Sequence, residues 1–84
     1  MDRMEKGRVV RSLAGRDRDR LLVVVGEAED FPLLCDGKER PLSRPKRKNP
    51  RHLAPADAIL TEAQMSTNRA LRKTLRIFTE TSMV

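Results

Sequence analysis

This chain predicts a small, mainly β domain with a C-terminal helix, and three observations carry that prediction. Short β-branched and aliphatic runs alternate with turn residues at close spacing from Gly7 to Ser43. Strands so short and so closely spaced fit a small closed barrel better than a helical bundle. Helical periodicity is confined to the C-terminal part, where Leu71, Leu75 and Phe78 fall at i, i+4 and i+7 and make one apolar stripe. The chain has 84 residues, 38% of them hydrophobic, with two Phe and neither Trp nor Tyr. Its core must therefore be aliphatic, and a chain of this size buries little of it.

Gly7 to Ser12 reads as the first strand, with Val9 and Val10 as strand formers and Arg8 and Arg11 interrupting the apolar face. Gly15 supplies a position that takes positive φ where the chain leaves this strand. The loop that follows carries Arg16, Arg18 and Arg20. Leu21 to Gly26 is the second strand; it is apolar on both faces, so it belongs at the centre of the sheet. Glu27 to Asp30 is a polar turn. Phe31 to Cys35 is the third strand, with Pro32 near its start, where a missing donor is tolerated. Asp36-Gly37 signals a two-residue hairpin turn, which makes Lys38 to Ser43 the fourth strand.

Residues 44–52 change character. Arg44, Lys46, Arg47, Lys48 and Arg51 follow one another with no acid between them. Pro45 and Pro50 keep the segment extended and bar a helix. An extended basic strip suits a phosphate backbone; a solvated linker is the alternative. His52 opens a last short strand, His52-Leu53-Ala54, with a packing or hydrogen-bonding role expected for its ring. Pro55 to Gln64 reads as a loose helical turn. Ser66 or Thr67 then caps a helix. Arg69, Arg72, Lys73 and Arg76 lie mostly off its apolar stripe. Three readings are open for this helix: docked on the barrel with solvated cations outside, presenting its cationic face to RNA, or resting on a membrane surface. Its shortness and lack of Trp weigh against the last. Ser82-Met83-Val84 is expected to fray. The chain thus divides into a barrel over 5–55, with the basic strip at 44–52, and a helical extension over 56–84.

Lys and Arg number 18 against 12 Asp and Glu, a net charge of +6. The excess is concentrated in residues 8–20 and 44–51, which favours a polyanionic partner. Guanidinium groups projected from a hairpin suit phosphate oxygens. The candidate contacts are Arg11, Arg16, Arg18, Arg20, Arg44, Lys46, Arg47, Lys48 and Arg51, with Gly7, Gly15 and Gly37 as structural positions. The near absence of aromatic residues argues against a base-stacking platform for single strands, and for recognition of folded RNA by shape and backbone.

Nothing in the chain reads as an enzyme. No carboxylate pair has apolar flanks, and no Gly-rich loop precedes a helix. Cys35 is the only cysteine, so an internal disulfide is excluded and a buried, inert thiol is expected. No His or second Cys stands at metal-ligand spacing, so neither a metal nor another cofactor is expected. Cysteine usage fits a reducing cytoplasm. Charged residues interrupt the start, so no secretory signal is expected. No apolar run approaches the ~20 residues that span a bilayer.

Gly7, Val9, Val10, Gly15, Arg18, Arg20 and Val23-Val24-Val25 together resemble the KOW motif. Further along, Asp36-Gly37, Leu42, Arg44-Pro45-Lys46-Arg47-Lys48 and Arg51-His52-Leu53-Ala54-Pro55 are similar to a group of small bacterial KOW-domain RNA-binding proteins. These in turn resemble a class of large-subunit ribosomal proteins from archaea and eukaryotes. The resemblance covers roughly residues 5–55. It implies an SH3-like barrel of KOW type that binds structured RNA, ribosomal or ribosome-associated, with a place in translation and the ribosome as a partner. The chain departs from the family at Asp19, where a second Gly is usual. Asp tolerates left-handed backbone better than most residues but less well than Gly. KOW-type barrels also serve as docking domains in transcription and translation factors. The alternative is therefore a protein-interaction adaptor, with the acidic turn at Glu27, Glu29 and Asp30 and the apolar tail helix facing a protein.

Overall fold

Alternating valines and leucines set the frame. The computed structural model describes residues 4–82. Five strands form one antiparallel sheet: β1 Arg8–Ser12, β2 Leu21–Ala28, β3 Phe31–Cys35, β4 Lys46–Arg47 and β5 Leu53–Ile59. Helix α1 spans Asn68–Ser82, and short 3-10 turns occupy Pro50–His52 and Ala63–Met65. The strand order is β4-β3-β2-β1-β5, so β2 is central, as its two apolar faces predict. Met83 and Val84, expected to fray with Ser82, lie outside the described residues.

The alternation within each strand splits the core in two. Val9, Val23 and Cys35 point to one side, where they pack with Leu60, Met65, Leu71 and Leu75. Val10, Leu22, Val24, Leu34 and Leu53 form a second cluster on the other side. Helix α1 covers the first face. The sheet covers the second by curling over it. Only five residues join β4 to β5, and three of them are wound in a 3-10 turn that rises about 2 Å per residue. Such a link does not cross four strand spacings of about 4.8 Å each unless the sheet curls. Register shifts between Arg8 and Val10 and between Val24 and Gly26 mark the irregular ladder positions where extra twist enters.

The curl does not close into the barrel that the strand spacing predicts, because β4 and β5 do not pair. β4 is only two residues long and pairs with β3 through Leu33 and Leu34, and Pro50 then turns the chain away. The fourth strand also differs in place. Lys38 to Ser43 forms a loop, not a strand. The Asp36 side chain accepts from the Lys38 and Arg40 amides, both at 2.8 Å, and Gly37 holds φ +80°. These bonds take up donors a ladder would need. The two-residue hairpin turn lies instead at Glu29-Asp30, with φ +53° and +70°, between β2 and β3. The basic strip is not extended throughout: Asn49 caps the turn at Pro50–His52 by accepting from the Arg51 amide at 3.0 Å. β5 runs past Ala54 to Ile59, so the start of the expected helical turn is strand. Pro55 is tolerated because β5 is an edge, and Ala56 and Ala58 pack on the helix-side core.

Helix α1 follows its pattern. The Thr67 hydroxyl accepts from the Ala70 amide at 3.0 Å, the expected N-cap bond. Leu71 and Leu75 are buried and Phe78 is half-buried, all against the sheet of the same chain. Cys35 is fully buried and donates to the Pro41 carbonyl at 3.4 Å. Burial, with the charge of Asp36 behind it, pushes its thiol up to about 11, so it is inert at neutral pH.

The 36–40 loop is locked to the helix start. A Cβ on Gly37 would lie 2.4 Å from the Asn68 carbonyl oxygen and 3.1 Å from the Arg72 amide. A Cβ on Gly15, also at positive φ, would meet nothing closer than the Lys48 ammonium at 3.6 Å. Gly15→Ala therefore carries backbone strain alone, about 1–2 kcal/mol, whereas Gly37→Ala adds a backbone clash. Gly37→Ala is expected to lower Tm distinctly more than Gly15→Ala. Equal Tm values in thermal denaturation would contradict this seating of the loop on α1.

Candidate nucleic-acid interface

The β1–β2 loop is built on backbone bonds. The Ser12 amide donates to the Arg20 carbonyl at 3.0 Å, and the Asp19 amide donates to the Ser12 carbonyl at 2.8 Å. Within the loop, the Arg18 amide reaches the Gly15 carbonyl at 3.2 Å and the Arg20 amide reaches the Asp17 carbonyl at 2.9 Å. Gly15 takes φ +87° and Asp19 takes φ +70°. Asp19 thus holds the left-handed conformation that a glycine there would supply. This tight path throws Arg16 and Arg18 outward, both exposed.

The basic strip is stitched to this loop by one side chain. The Lys48 ammonium donates to the Ser12 hydroxyl at 2.7 Å, the Ala14 carbonyl at 2.8 Å and the Asp17 carboxylate at 2.7 Å. Ser12 in turn donates to Asp17 Oδ1 at 2.8 Å. Ser12 is fully buried, and the Lys48 and Asp17 side chains are only 10% and 15% exposed. Burial pushes the Asp17 carboxyl up, but hydrogen bonds from Lys48 and Ser12, with the charges of Lys48 and Lys46, outweigh it and hold Asp17 below the usual carboxylate range. Its second oxygen, Oδ2, is buried without a hydrogen-bond partner among the described residues. Two further bonds fasten the strip. The Lys48 amide donates to Pro32 at 3.2 Å, and the Leu13 amide donates to His52 at 2.8 Å.

The candidate cations thus fall into distinct groups. Arg16, Arg20 and Lys46 line one concavity of about 170 Å³, together with Arg40, Asp17, Leu22, Asp36 and Glu39. Arg20 pairs with Glu39 at 3.2 Å, an exposed pair worth little. Arg47 pairs with Glu29 and lies over the Phe31 ring, 5.7 Å from its centroid. Lys48 is turned inward and holds the scaffold. Arg16, Arg18, Arg44, Lys46 and Arg51 have no carboxylate partner among the described residues. Arg11 stands apart. It lies on the helix side of β1, in a groove with Val9, Leu21, Ala54, Pro55, Ala56 and Phe78. Gly7 is the third structural glycine; its φ is +95°, and a Cβ would lie 2.7 Å from the Leu60 carbonyl oxygen.

Sequence reasoning missed Ser12 and Asp17 as anchors of the site and Arg40 as a lining residue. The signal for Asp17 was available only as its place inside the basic loop, where an arginine partner was the natural expectation. Lys48 reaches it first because the curl of the sheet brings the end of β4 over the end of β1. Among the described residues no group of three or more His, Cys, Asp or Glu is arranged to hold a metal. No helix among the described residues is long and apolar enough to cross a membrane. The chain matches no protein-family model and no curated relative.

Removing one member of the Lys48–Asp17 pair strands the other. Asp17→Asn or Lys48→Ala is expected to destabilise the fold by about 2 kcal/mol or more, read as Tm. The double variant Asp17→Asn/Lys48→Met should recover part of that loss, since no buried charge is left alone. The pH dependence has a definite sign. Because the folded-state value of Asp17 is lowered, its stabilisation is complete above the unfolded carboxyl range of about 4 and is lost as pH falls through the folded value. Asp17→Asn should therefore flatten the acid limb of the Tm–pH curve. An unchanged acid limb would remove Asp17 from its role as the loop's anchor.

Proposed function

We propose that this protein binds structured RNA through the phosphate backbone, using the β1–β2 loop and the basic strip as one surface, and that its curled, unclosed sheet is an open form of the SH3-like barrel of KOW type. The observation that carries this reading is the Lys48 tie. It holds two basic segments, far apart in sequence, side by side, and leaves Arg16, Arg18, Arg44 and Arg51 exposed and without a salt bridge among the described residues, with Lys46 half-buried in the concavity beside Arg16 and Arg20. Side chains presented from a fixed base lose less freedom on binding than side chains on a floppy tail. Asp19 at φ +70° supports the KOW resemblance at the one loop position where the sequence departs from it. Ribosomal or ribosome-associated RNA is the partner that the resemblance suggests, with a role in translation, and the cysteine usage fits a cytoplasmic setting.

The adaptor reading rests on two features, of which the chain uses one internally and the other in part. Glu29 of the acidic turn pairs with Arg47. The apolar stripe of α1 packs against the chain's own sheet. Co-sedimentation with ribosomes before and after nuclease separates the readings, because a protein adaptor stays bound once the RNA is digested.

Binding to a fully paired RNA hairpin should weaken steeply with salt, log affinity falling by about 0.9 per log unit of salt for each phosphate neutralised. The triple variant Arg16→Ala/Arg18→Ala/Lys46→Ala should bind at least about tenfold more weakly and show a shallower slope. Its Tm should stay close to that of the unsubstituted protein, because the hydrogen bonds of Lys48 to Ser12, Ala14 and Asp17 remain in place. An affinity that ignores salt, or a triple variant that binds as well as the parent, would refute the reading.

A further inference from the structure

Helix α1 carries Arg69, Arg72, Lys73 and Arg76 within its first nine residues, and Glu80 is the only acid in its span. The pairs 69/73 and 72/76 are i,i+4 and the pairs 69/72 and 73/76 are i,i+3, so like charges face one another along the helix surface, which is destabilising. The macrodipole also disfavours cations in the opening turns. An exposed face kept merely for solubility would mix signs, as surface helices usually do.

The four cations do not stand on an open cylinder. Together with Lys38 they line a concavity of about 550 Å³, and no acid among the described residues lines it. Lys38 is placed there by the 36–40 loop, which is pinned at several points. Asp36 accepts from the Lys38 and Arg40 amides. Asn68 Oδ1 accepts from the Leu42 amide at 2.7 Å. Gly37 is packed so close to the Asn68 carbonyl that no Cβ fits. Loop and helix therefore form one rigid cleft wall. A neighbouring depression lined by Arg20, Lys38, Arg72 and Arg76, with Asp36 the one acid among its described lining residues and already accepting from the Lys38 and Arg40 amides, joins this cleft to the loop side of the molecule, since Arg20 also lines the concavity with Arg16 and Lys46.

We infer that the cleft between α1 and the 36–40 loop is a second phosphate-backbone site, and that one structured RNA runs from the β1–β2 loop past Arg20 into it. The inference rests on the RNA-binding reading and extends it to a surface that the loop and strip do not include. Helix α1 is then a binding element as well as a cover for the core. An anionic membrane surface fits less well, because Leu71 and Leu75 are buried in the core and are not offered to lipid.

The test uses the full chain and a fully paired RNA hairpin. The variant Arg69→Gln/Arg72→Gln/Lys73→Gln/Arg76→Gln keeps strong helix formers at every position. It should bind at least about tenfold more weakly, with the salt slope shallower by about 0.9 for each phosphate that the variant leaves without a cation. If this variant binds like the parent while Arg16→Ala/Arg18→Ala/Lys46→Ala binds weakly, the second site is wrong and the proposed function stands. If neither variant loses affinity, both fall. In the unsubstituted protein, bound hairpin should slow acetylation of Lys38 and Lys73 severalfold; equal rates with and without RNA overturn the inference, whatever the variant's fold. Capture by phosphatidylserine vesicles that is lost in the helix variant, with RNA affinity unchanged, would assign the cleft to a membrane instead and overturn it too.

Discussion

One ammonium group ties the molecule together. Lys48 leaves the short edge strand β4 and enters the end of the inner core, where Ser12, Ala14 and Asp17 receive all of its hydrogen bonds. It fixes the β1–β2 loop from below, holds the basic strip against that loop and draws the end of β4 over β1. Desolvating such a charge is costly, and an apolar side chain of similar size often serves stability as well or better. What the pair adds is a defined register. An apolar contact tolerates sliding, whereas an ammonium donating to three oxygens accepts one arrangement. The curl of the sheet is imposed by the short β4–β5 link and not by a β4–β5 ladder, and this fixed point holds it in one arrangement.

Backbone strain is distributed in keeping with that constraint. Asp19, Glu29 and Asp30 all hold positive φ without being glycine. Each lies in a turn whose flanking strands are paired on the same sheet, so the ladder dictates the turn and the side chain accommodates it. For Asp19 the bond from its amide to Ser12 does the dictating. The loop geometry therefore does not require a glycine at position 19, provided that β1 and β2 keep their register.

The parts of the fold legible in the sequence are those decided by local pattern. Val9-Val10 and Val23-Val24 announced strands with two buried faces and put β2 at the centre, and the Leu71, Leu75 and Phe78 spacing announced α1 with its Thr67 cap. The misplaced elements are those where a side chain outcompetes the backbone or a distant contact decides. Asp36-Gly37 looks like a hairpin turn, yet the Asp36 carboxylate captures two amides and Gly37 is required by the approach of α1. The alanines at 56 and 58 look helical, yet pairing of β5 with β1 makes them strand. In the candidate site, the outward arginines of the loop were readable as such. The inward turn of Lys48 was not, because nothing local distinguishes it from Lys46 two residues earlier. Its partner lies 31 residues away, across the curl.

The distribution of aromatic residues bears on how such a surface would read a nucleic acid. Phe31 is half-buried and carries the Arg47 guanidinium over its ring, and Phe78 is packed on the helix-side core. Neither is offered as a flat platform, and base stacking is the usual route by which proteins grip unpaired strands. What remains outward is cationic and mounted on backbone that is hydrogen-bonded or packed at close quarters. Contacts of that kind position a protein on phosphates and carry no base identity themselves. Selectivity on such a surface must come from spacing, since rigid cations match only those RNA shapes whose phosphates fall where the cations stand. The Lys48 tie sets the spacing within the loop and strip, and the packing of Gly37 on α1 sets it for the cleft. On the proposed RNA-binding reading, the two buried contacts that stabilise the fold would also determine which polyanion fits.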